Sequence, residues 1–274
     1  MPETSRSALG PVVIAGGGVA AVETLLALRA SPGGDALDVT LLAPDHDLVY
    51  RPMSVGEAFG RPLVRRYSLD AICADLGAAL VEDVLSAVDG ERRCVVTGSG
   101  RELPFDALVV ATGARARVAL PNAFTFFADT DTDADGYQWI VREVEEGTTR
   151  TIAFVVPAGV GWSLPLYELA LLTAHRAWSV GAGDVAFTLV TPEETPLALF
   201  QGEGSRTVAR LLGLAGIELE MNTYAHDYDG RNLHLTPGDR QIAVDRVVAL
   251  PTLSGPSIDG LPLDPDGFVR VDDH

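Results

Sequence analysis

The sequence predicts an α/β protein with two βαβ units, parallel central sheets, and a small antiparallel β-meander inserted into the first unit. Three observations support this prediction. Short apolar strands alternate with helical patterns in both halves of the chain. A glycine-rich turn separates the first strand from the first helix in each half. In the first half, several short strands are separated by turn residues, which is typical of antiparallel hairpins.

The first βαβ unit begins near the start of the chain. Residues 11–15 form a short β-branched apolar run that suits a buried parallel strand. Three glycines follow, and residues 19–30 carry Ala and Leu at helical spacing. Residues 38–42 complete the unit as a second strand. This order implies a right-handed crossover and a parallel sheet.

The rest of the first half predicts one helix and a meander. A helix is predicted over 68–80, with Ser68 as its N-cap and Asp70 in its first turn. The following short strands, separated by Asp-Gly and Gly-Ser-Gly turns, are predicted at 79–81, 85–88 and 94–97. Residues 107–110 are entirely apolar, so we expect this strand to be central in its sheet.

The second half repeats the βαβ order without a sequence repeat. A connection over 121–150 carries an acidic helix, about 136–146, that starts near Asp133 or Asp135. The other elements predicted here are strands at 151–156, 185–190, 217–219, 241–244 and 246–250, and helices at 164–178 and 205–212.

The charged residues exclude several kinds of chemistry. The chain has 274 residues with 38 Asp and Glu, and all 20 basic residues are Arg, so the formal net charge is −18. Without Lys, the chain has no Schiff-base lysine and no phosphate-binding lysine of a P-loop. The acidic balance argues against nonspecific nucleic-acid binding and against docking on an anionic membrane surface.

Cysteine and histidine give no sign of a metal or a dithiol centre. Cys73 and Cys94 are too far apart for a C-x-x-C pair, and we expect both thiols to be small core residues. The five His show no paired ligand spacing, so no metal is predicted. Because there is no signal pattern and no apolar run of about 18 residues, we expect a cytoplasmic chain without an integral membrane segment.

The first glycine turn is a G-x-G-x-x-A motif, Gly16 to Ala21. Gly16 permits the tight turn from strand to helix, Gly18 lets a pyrophosphate approach the backbone, and Ala21 lets helix and strand pack closely. The helix N-terminus supplies N–H groups and a positive dipole for the phosphates. The alternative is a glycine-rich turn that holds no ligand.

Two further features accompany this motif. The acidic residue expected at the end of the second strand is displaced, because Ala43 takes that position and Asp45 follows it after a proline. Asp45 is either a ribose ligand or a turn residue, and the sequence favours neither. The apolar strand at 107–110 leads into Ala-Thr-Gly, small residues that allow a close backbone approach.

Four segments in a fixed order carry a family resemblance: the glycine motif at 16–21, Leu48-Val49-Tyr50-Arg51-Pro52, Val81-Glu82-Asp83-Val84, and Phe105 to Gly113. In this combination the chain resembles the two-dinucleotide-binding flavoproteins of the pyridine nucleotide–disulfide oxidoreductase superfamily. Within it, the chain is most similar to the branch of type II NADH dehydrogenases and sulfide:quinone oxidoreductases. The resemblance covers nearly the whole chain.

The resemblance implies two Rossmann-like domains and one FAD site. The implied organisation is an FAD-binding domain at 1–120, the connection at 121–150, a second NAD-type domain at 151–250, and a return segment at 251–274. The motif residues Gly16, Gly18, Val19, Ala20 and Ala21 would cradle the pyrophosphate, and Asp45 would hold the ribose. Arg51 and Pro52 match a loop near the flavin, Val84 matches a backbone contact to adenine, and Ala111-Thr112-Gly113 matches a strand end beside the cofactor.

The sequence departs from this family in three places. In the second turn Gly159 and Gly161 are present, but Leu164 takes the position of a small residue, where we expect it to push the helix off the strand, and Trp162 would crowd the pyrophosphate. Cys73 and Cys94 match neither the sulfide-oxidising cysteines nor a C-x4-C dithiol. The strand that ends in Gly-Asp and the C-terminal domain of family members are expected to be missing.

These features predict an FAD-dependent oxidoreductase domain that passes electrons from a small donor to a quinone-like or other acceptor. The alternative is a non-catalytic or degenerate module that binds FAD or NAD. A third reading, an NAD-dependent enzyme, lacks a visible catalytic set. No side chain stands out as catalytic. The expected partners are a small-molecule donor and acceptor, with a quinone as candidate acceptor and a homodimer as candidate assembly, and no nucleic acid.

Overall fold

A computed structural model describes residues 10–51, 54–60, 64–127 and 131–272, without the side chains of residues 131–135. The chain forms two compact units. The first unit comprises Met1–Tyr50, Val64–Arg115 and Ser254–His274, and the second comprises Arg51–Leu63 and Ala116–Leu253. None of the helices in the described ranges is both long and apolar enough to cross a membrane.

The helices are α1 (Val19–Ala30), α2 (Leu69–Asp75), α3 (Asp131–Glu145), α4 (Leu164–Ser179) and α5 (Gln201–Leu214). The strands of the first half are β1 (Val12–Ala15), β2 (Val39–Ala43), β3 (Asp47–Tyr50), β4 (Arg65–Ser68), β5 (Ala79–Glu82), β6 (Leu85–Asp89), β7 (Cys94–Thr97), β8 (Glu102–Pro104), β9 (Ala107–Val110) and β10 (Arg115–Arg117). The remaining strands are β11 (Phe124–Thr125), β12 (Thr151–Val155), β13 (Ala186–Val190), β14 (Ile217–Glu220), β15 (Tyr224–Tyr228), β16 (Asn232–Thr236), β17 (Arg240–Ala243), β18 (Arg246–Ala249) and β19 (Thr252–Ser254).

The first unit is built on a four-stranded parallel sheet in the order β5-β2-β1-β9. One face packs against α1 and α2 through buried residues such as Leu25 and Leu69. The other face packs against the antiparallel meander β6-β7-β8 through Val88, Val95 and Leu103. A parallel sheet covered on both faces reads as near-continuous apolar strands, as β1 does. The predicted fold class, including the inserted meander, is therefore confirmed.

The strand β9 corrects one expectation. We expected this fully apolar strand to be central, but β9 lies at the end of the strand order, with β1 as its neighbour. Its apolar character has a different cause, since both of its faces are covered. Ala107 and Val109 pack against the helical side, whereas Leu108 and Val110 pack against the meander side. Apolar residues on both faces thus report coverage of the sheet, not position within it.

The second unit has a five-stranded parallel sheet in the order β11-β18-β12-β13-β14. The helices α3 and α4 pack in its core together with the 3₁₀ turn Ser54–Phe59. Tyr137 on α3 is fully buried and makes edge-on contacts with Phe59, Phe124 and Phe126, at ring-centroid distances of 5.8–6.1 Å. This core fixes the position of α4 above its sheet.

The predicted start of α2 is correct, whereas the predicted end of α2 and the predicted start of α3 differ from the structure. Ser68 caps α2 as predicted, because its Oγ accepts a hydrogen bond from the Ala71 N–H at 3.2 Å. The helix itself ends at Asp75, earlier than predicted, and Gly77 follows in a left-handed conformation. The acidic helix α3 begins at Asp131, ahead of the predicted Asp133 or Asp135. The predicted domain limits stay predictions.

Two antiparallel elements were not predicted. The hairpin β3–β4 pairs a segment that the sequence left without structure. The strands β15, β16 and β17 form a second three-stranded meander, of which only β17 matches a predicted strand, at 241–244. The strands of this meander are rich in charged and polar residues, and β15 carries a register shift between Ala225 and Asp227. β15 therefore gives no clear period-two pattern in the sequence, whereas β16 alternates polar and apolar residues regularly and was nevertheless missed.

Candidate nucleotide-binding site

The first glycine turn connects β1 directly to α1 through residues 16–18. Gly16 has a φ of +133°, and a Cβ added there would lie 2.0 Å from the Ala111 carbonyl oxygen. No side chain fits in that space, so Gly16 is required by the close approach of β1 and β9. This requirement belongs to the fold and needs no ligand.

Gly18 is different, because its own conformation would accept a side chain. It is the N-cap of α1 with φ −83° and ψ −175°, an extended backbone that any residue adopts. A Cβ added to Gly18 would meet no described heavy atom within 4 Å. The space above Gly18 is therefore open at the N-terminus of a helix, where a pyrophosphate would approach the backbone. The turn fits the group that the motif predicts.

The first turn of α1 presents free donors to this space. Within the described part of the chain, no side chain caps α1, and its first turn contains no acidic residue. Val19 and Ala20 are exposed, whereas Ala21 is fully buried against the sheet. The motif thus divides into two residues that face solvent and one that packs the helix onto β1. Uncapped N–H groups and the helix dipole favour an anion here.

The end of β9 lies beside the same turn. The Ala111 N–H donates to the Ala15 carbonyl at 2.7 Å, and the contact between Gly16 and Ala111 brings the two strand ends together. Thr112 is half-buried, and Gly113 is exposed with a φ of +71°. The structure therefore brings Ala111, Thr112 and Gly113 to the same edge of the sheet as the glycine turn.

The other predicted residues of the first unit are less uniform. Asp45 is exposed in the turn after β2. The Val84 N–H already donates to Asp83 Oδ1 at 2.8 Å, and its carbonyl accepts from the Gly98 N–H at 2.9 Å. A backbone contact from Val84 to a ligand would have to use the second lone pair of that carbonyl.

Arg51 and Pro52 are the remaining residues for which the resemblance implies a place near the flavin. Arg51 is exposed directly after β3 and belongs to the second unit. Pro52 lies outside the described residues. The role that the resemblance implies for both residues stays a prediction.

Asp83 is a structural carboxylate that the sequence did not reveal. Its Oδ2 accepts hydrogen bonds from the Ser99 hydroxyl at 2.6 Å and the Ser99 N–H at 3.1 Å, and its Oδ1 accepts from the Val84 N–H. The Ser99 hydroxyl, followed by other donors, lowers the pKa of Asp83 well below its usual range. Asp83 therefore ties β5 to the meander and is not free to bind a ligand.

The second glycine turn has another geometry. Here β12 ends at Val155 and α4 begins at Leu164, so residues 156–163 lie between strand and helix. We expected Leu164 to push the helix off the strand, but α4 packs on the sheet with Leu164 against its core. The longer turn explains this difference, because Leu164 is the first residue of α4 and does not lie where the helix crosses β12. Trp162 is 53% exposed, and its ring lies 6.0 Å from that of Phe200.

A carboxylate that sequence analysis overlooked closes this turn. Glu193 follows β13, where an acidic residue that binds ribose is expected in a βαβ unit. Its two oxygens accept hydrogen bonds from the Tyr167 hydroxyl at 2.7 Å, the Thr191 hydroxyl at 2.9 Å, the Ser163 hydroxyl at 3.1 Å and the Ala198 N–H at 3.2 Å. Burial raises the pKa of the Tyr167 hydroxyl, so this donor keeps its proton. The position after the second strand was the signal that could have found Glu193.

The two cysteines behave as predicted for core residues. Cys73 and Cys94 are both buried, and both are free thiols. Burial raises the pKa of the Cys73 thiol, which keeps it protonated and unreactive. Neither thiol has the exposed, electropositive surroundings that a redox cysteine needs.

A cavity of about 720 Å³ lies within the second unit, between the 3₁₀ turn Ser54–Phe59, α3 and α4. Apolar residues such as Phe59, Leu171 and Leu172 form much of its wall. Glu168 faces it from α4, half-buried, and burial raises the pKa of its carboxyl.

Two βαβ units, one of them with an open cradle at its glycine turn, define a protein of the dinucleotide-binding class. The family model for pyridine nucleotide-disulphide oxidoreductase matches residues 10–274. The chain therefore belongs to the pyridine nucleotide-disulphide oxidoreductase family, and the resemblance stated from its motifs is confirmed. None of the curated protein sequences matches the chain.

Solved structures share the fold at low sequence identity. The sulfide:quinone oxidoreductase from the hyperthermophilic bacterium Aquifex aeolicus is 20% identical, with a TM-score of 0.79 over 91% of this chain and 60% of that chain. NDH2 from Plasmodium falciparum, in complex with RYL-552, is 14% identical, with a TM-score of 0.68 over 91% of this chain and 56% of that chain. A NAD-dependent persulfide reductase from A. fulgidus is 19% identical, with a TM-score of 0.62 over 96% of this chain and 50% of that chain. The chain thus spans between half and three-fifths of the length of these structures.

Proposed function

We propose that the first unit binds FAD, and that the chain is the flavin-binding part of an oxidoreductase. In this role it passes electrons from a small donor to a quinone-like or other acceptor. The observation that carries the proposal is the open space above Gly18, at a helix N-terminus without a capping side chain. A glycine that its own backbone does not require is best explained by a ligand that passes close to it.

The chain's own residues would hold and orient the cofactor. The N–H groups of Val19 and Ala20 and the helix dipole would bind the pyrophosphate, and Ala21 keeps α1 close to β1. Small residues at 111–113 leave room for the cofactor at the neighbouring strand end. Bound flavin supplies the electron-transfer chemistry, which no side chain of this chain supplies.

Two observations bear on the electron donor. In the second unit, the long turn before α4 and the internal hydrogen bonds of Glu193 argue against NAD(P)H binding in the usual mode. The buried thiols of Cys73 and Cys94 argue against a dithiol relay. We therefore propose a small donor other than NADH, and we expect NADH to reduce the bound flavin slowly.

A titration with FAD tests this function. The purified chain, incubated with FAD and freed of excess by gel filtration, should retain the visible absorption of oxidised flavin. FMN, which lacks the adenosine and one phosphate, is the matched ligand and should bind much more weakly. A colourless protein that retains no FAD would contradict the proposal. Rapid anaerobic bleaching by NADH would contradict the inference about the donor.

A second candidate is a nucleotide-binding module without catalysis. The observation that favours it is the second unit, whose turn departs from the dinucleotide-binding geometry. Anaerobic reduction separates the two candidates. If dithionite bleaches the bound flavin but NADH, NADPH and sulfide do not, the result favours the binding module.

A further inference from the structure

We propose that Glu82, held beside His46, binds the hydroxyl groups of the adenosine ribose in the first unit. This inference rests on the proposed dinucleotide site and names the residue that recognises the sugar. It assigns to Glu82 the role that the sequence suggested for Asp45. The argument uses the register of the sheet, the direction of the Glu82 side chain, and the engagement of the neighbouring carboxylates.

The end of β2 lies beside the glycine turn but offers no carboxylate. The last residue of β2 is Ala43, which is fully buried. A Cβ added to Gly17 would lie 2.9 Å from the Ala43 Cβ and 2.8 Å from Leu69 Cδ1. This is the place where dinucleotide-binding units carry the acidic residue for the ribose. In this chain a methyl group fills it.

Glu82 is the next residue along this edge of the sheet. β5 pairs with β2 in parallel, and the register places Glu82 opposite Ala43. Both residues end their strands, so they lie at the same edge, about 4.8 Å apart in the pairing direction. In a parallel pair, register partners point to the same face of the sheet. A longer side chain on the neighbouring strand can therefore extend beyond Ala43 on the same face and at the same edge of the sheet.

The Glu82 side chain turns back over the end of β2. Its Oε1 lies 3.3 Å from His46 Nδ1, and His46 belongs to the turn that follows β2. That turn is anchored to α2, since the His46 carbonyl accepts from the Leu69 N–H at 2.8 Å. The Glu82 side chain is 49% exposed, so a ligand at the glycine turn can reach its carboxylate.

The other acidic residues near this edge are less suited to the role. Asp83 is engaged by Ser99 and Val84. Asp45 makes no hydrogen bond or ion pair within the described part of the chain that would fix its direction. Asp70 lies close to Glu82 and His46: a carboxylate oxygen of each acidic residue and a ring nitrogen of His46 all lie within 4.8 Å of one another.

Two neighbouring ribose hydroxyls that donate to the Glu82 carboxylate would form charge-assisted hydrogen bonds.

This arrangement also predicts what the site rejects. Glu82 and Asp70 bring two negative charges to the place where the ribose would lie. A 2′-phosphate on that ribose would add further negative charge close to both carboxylates. We therefore infer that the site accepts an adenosine nucleotide with free ribose hydroxyls and discriminates against its 2′-phosphorylated form.

A cycle of two ligands and three proteins tests the assignment. ADP and 2′-deoxy-ADP are titrated by calorimetry, with EDTA present, into the wild-type chain, Glu82→Gln and the control Asp45→Asn. Glu82→Gln should weaken ADP binding about 10- to 100-fold, the range expected for hydrogen bonds to a charged group. It should weaken the binding of 2′-deoxy-ADP by a smaller factor, because this ligand keeps only the 3′-hydroxyl as a donor to the carboxylate. Asp45→Asn should bind ADP within about twofold of wild type, since an exposed carboxylate without fixed partners contributes little.

The outcomes separate this inference from the proposed function. If Glu82→Gln binds ADP as wild type does, or if Asp45→Asn causes the loss, the assignment to Glu82 is overturned. If ADP binds through Glu82 but FAD is not retained, the flavin proposal fails and the ribose assignment stands. A wild-type chain that binds neither ADP nor FAD overturns both the ribose assignment and the flavin proposal. Thermal melts of the two variants, both changed at exposed positions, verify that the fold is intact.

Discussion

The two glycine turns of this chain look alike in sequence and differ in structure. Both follow the first strand of a βαβ unit, and both contain the pattern Gly-x-Gly. In the first unit only residues 16–18 separate strand and helix, so the N-terminus of α1 lies directly at the strand end. In the second unit residues 156–163 intervene, and α4 begins beyond them. The number of residues between strand and helix, more than the glycine spacing, therefore decides whether the helix N–H groups lie at the open space beside the strand end.

The glycines of the two turns differ in whether their surroundings exclude a side chain. Gly16 is fixed by its contact with Ala111, whereas Gly159 and Gly161 have no described atom within 4 Å of an added Cβ. Gly159 still needs a left-handed backbone, with a φ of +79°. The second turn also holds Glu193 by four hydrogen bonds from its own surroundings. The first turn thus leaves open space at an uncapped helix N-terminus, whereas the second turn satisfies its polar groups internally.

The largest effect is expected at Gly16. In Gly16→Ala the new methyl would clash with the Ala111 carbonyl, and the backbone would stay in a left-handed region. Overpacking and backbone strain together should cost about 3–5 kcal/mol of unfolding free energy. Urea unfolding followed by circular dichroism measures this loss. The matched substitution in the second turn, Gly161→Ala, should change stability by less than about 0.5 kcal/mol, and equal losses at both sites would remove the distinction between the turns.

Gly18 should separate ligand binding from stability. Gly18→Ser places a good N-cap residue at the start of α1, so the unliganded chain should be as stable as wild type or slightly more stable. The same side chain would occupy the cradle and should weaken FAD binding by about 1–3 kcal/mol. Fluorescence titration with FAD measures the affinity, with Gly161→Ser as the control. An unchanged affinity in Gly18→Ser would show that the cofactor does not pass over this residue.

A substitution of Glu193 should have the opposite effect to Gly18→Ser: it should lower stability and leave ligand binding unchanged. In Glu193→Gln the carboxylate becomes an amide, which cannot accept from both pairs of donors, so unfolding free energy should fall by about 1–3 kcal/mol. The affinity for NADH should stay as weak as in the wild type, because the carboxylate is already engaged by Tyr167 and Ser163. Calorimetric titration with NADH and a urea melt measure the two quantities. A marked loss of NADH binding without a loss of stability would make Glu193 a ribose ligand.

The smallest effect is expected at Asp83, the fixed carboxylate of the first unit. Its pKa is lowered in the folded chain from an ordinary value of 3.8, so it stabilises the fold above that value. As the pH falls below about 4, the unfolded chain takes up the proton first, and this stabilisation is lost progressively. The difference in unfolding free energy between wild type and Asp83→Asn should therefore be largest near neutral pH and shrink towards pH 3. A difference that is constant with pH would mean that Ser99 does not favour the charged form.

The parts of the fold that were predictable from sequence are those where local signals and packing agree. The strands of both parallel sheets are short apolar runs, and Ser68 and the glycine motif mark helix starts directly. In the meander β15-β16-β17 only β17 was predicted, and β15 escaped prediction because it alternates irregularly and carries many polar residues. The end position of β9 was missed because burial of both faces gives the same apolar pattern in a central strand and in an outer one.

The candidate site was predictable only at positions where the backbone conformation or a close backbone approach requires a small residue. The glycines and the small residues at 111–113 carry their meaning in their size, so they are visible in the sequence. Asp83, Glu82 and Glu193 are ordinary acidic residues whose contacts are made with residues far away in the chain. Only the register between β2 and β5 brings Glu82 next to Ala43, and no local pattern encodes that register.

The distribution of tryptophan gives the two units separate optical signals. All three tryptophans, Trp139, Trp162 and Trp178, belong to the second unit, and their exposed fractions range from 53% to 75%. Tryptophan emission, excited selectively over tyrosine, therefore reports on the second unit alone, whereas far-ultraviolet dichroism reports on both. If the two signals give different midpoints in one urea titration, the units unfold as separate cooperative blocks. Gly16→Ala should then shift the dichroism transition while leaving the emission transition in place.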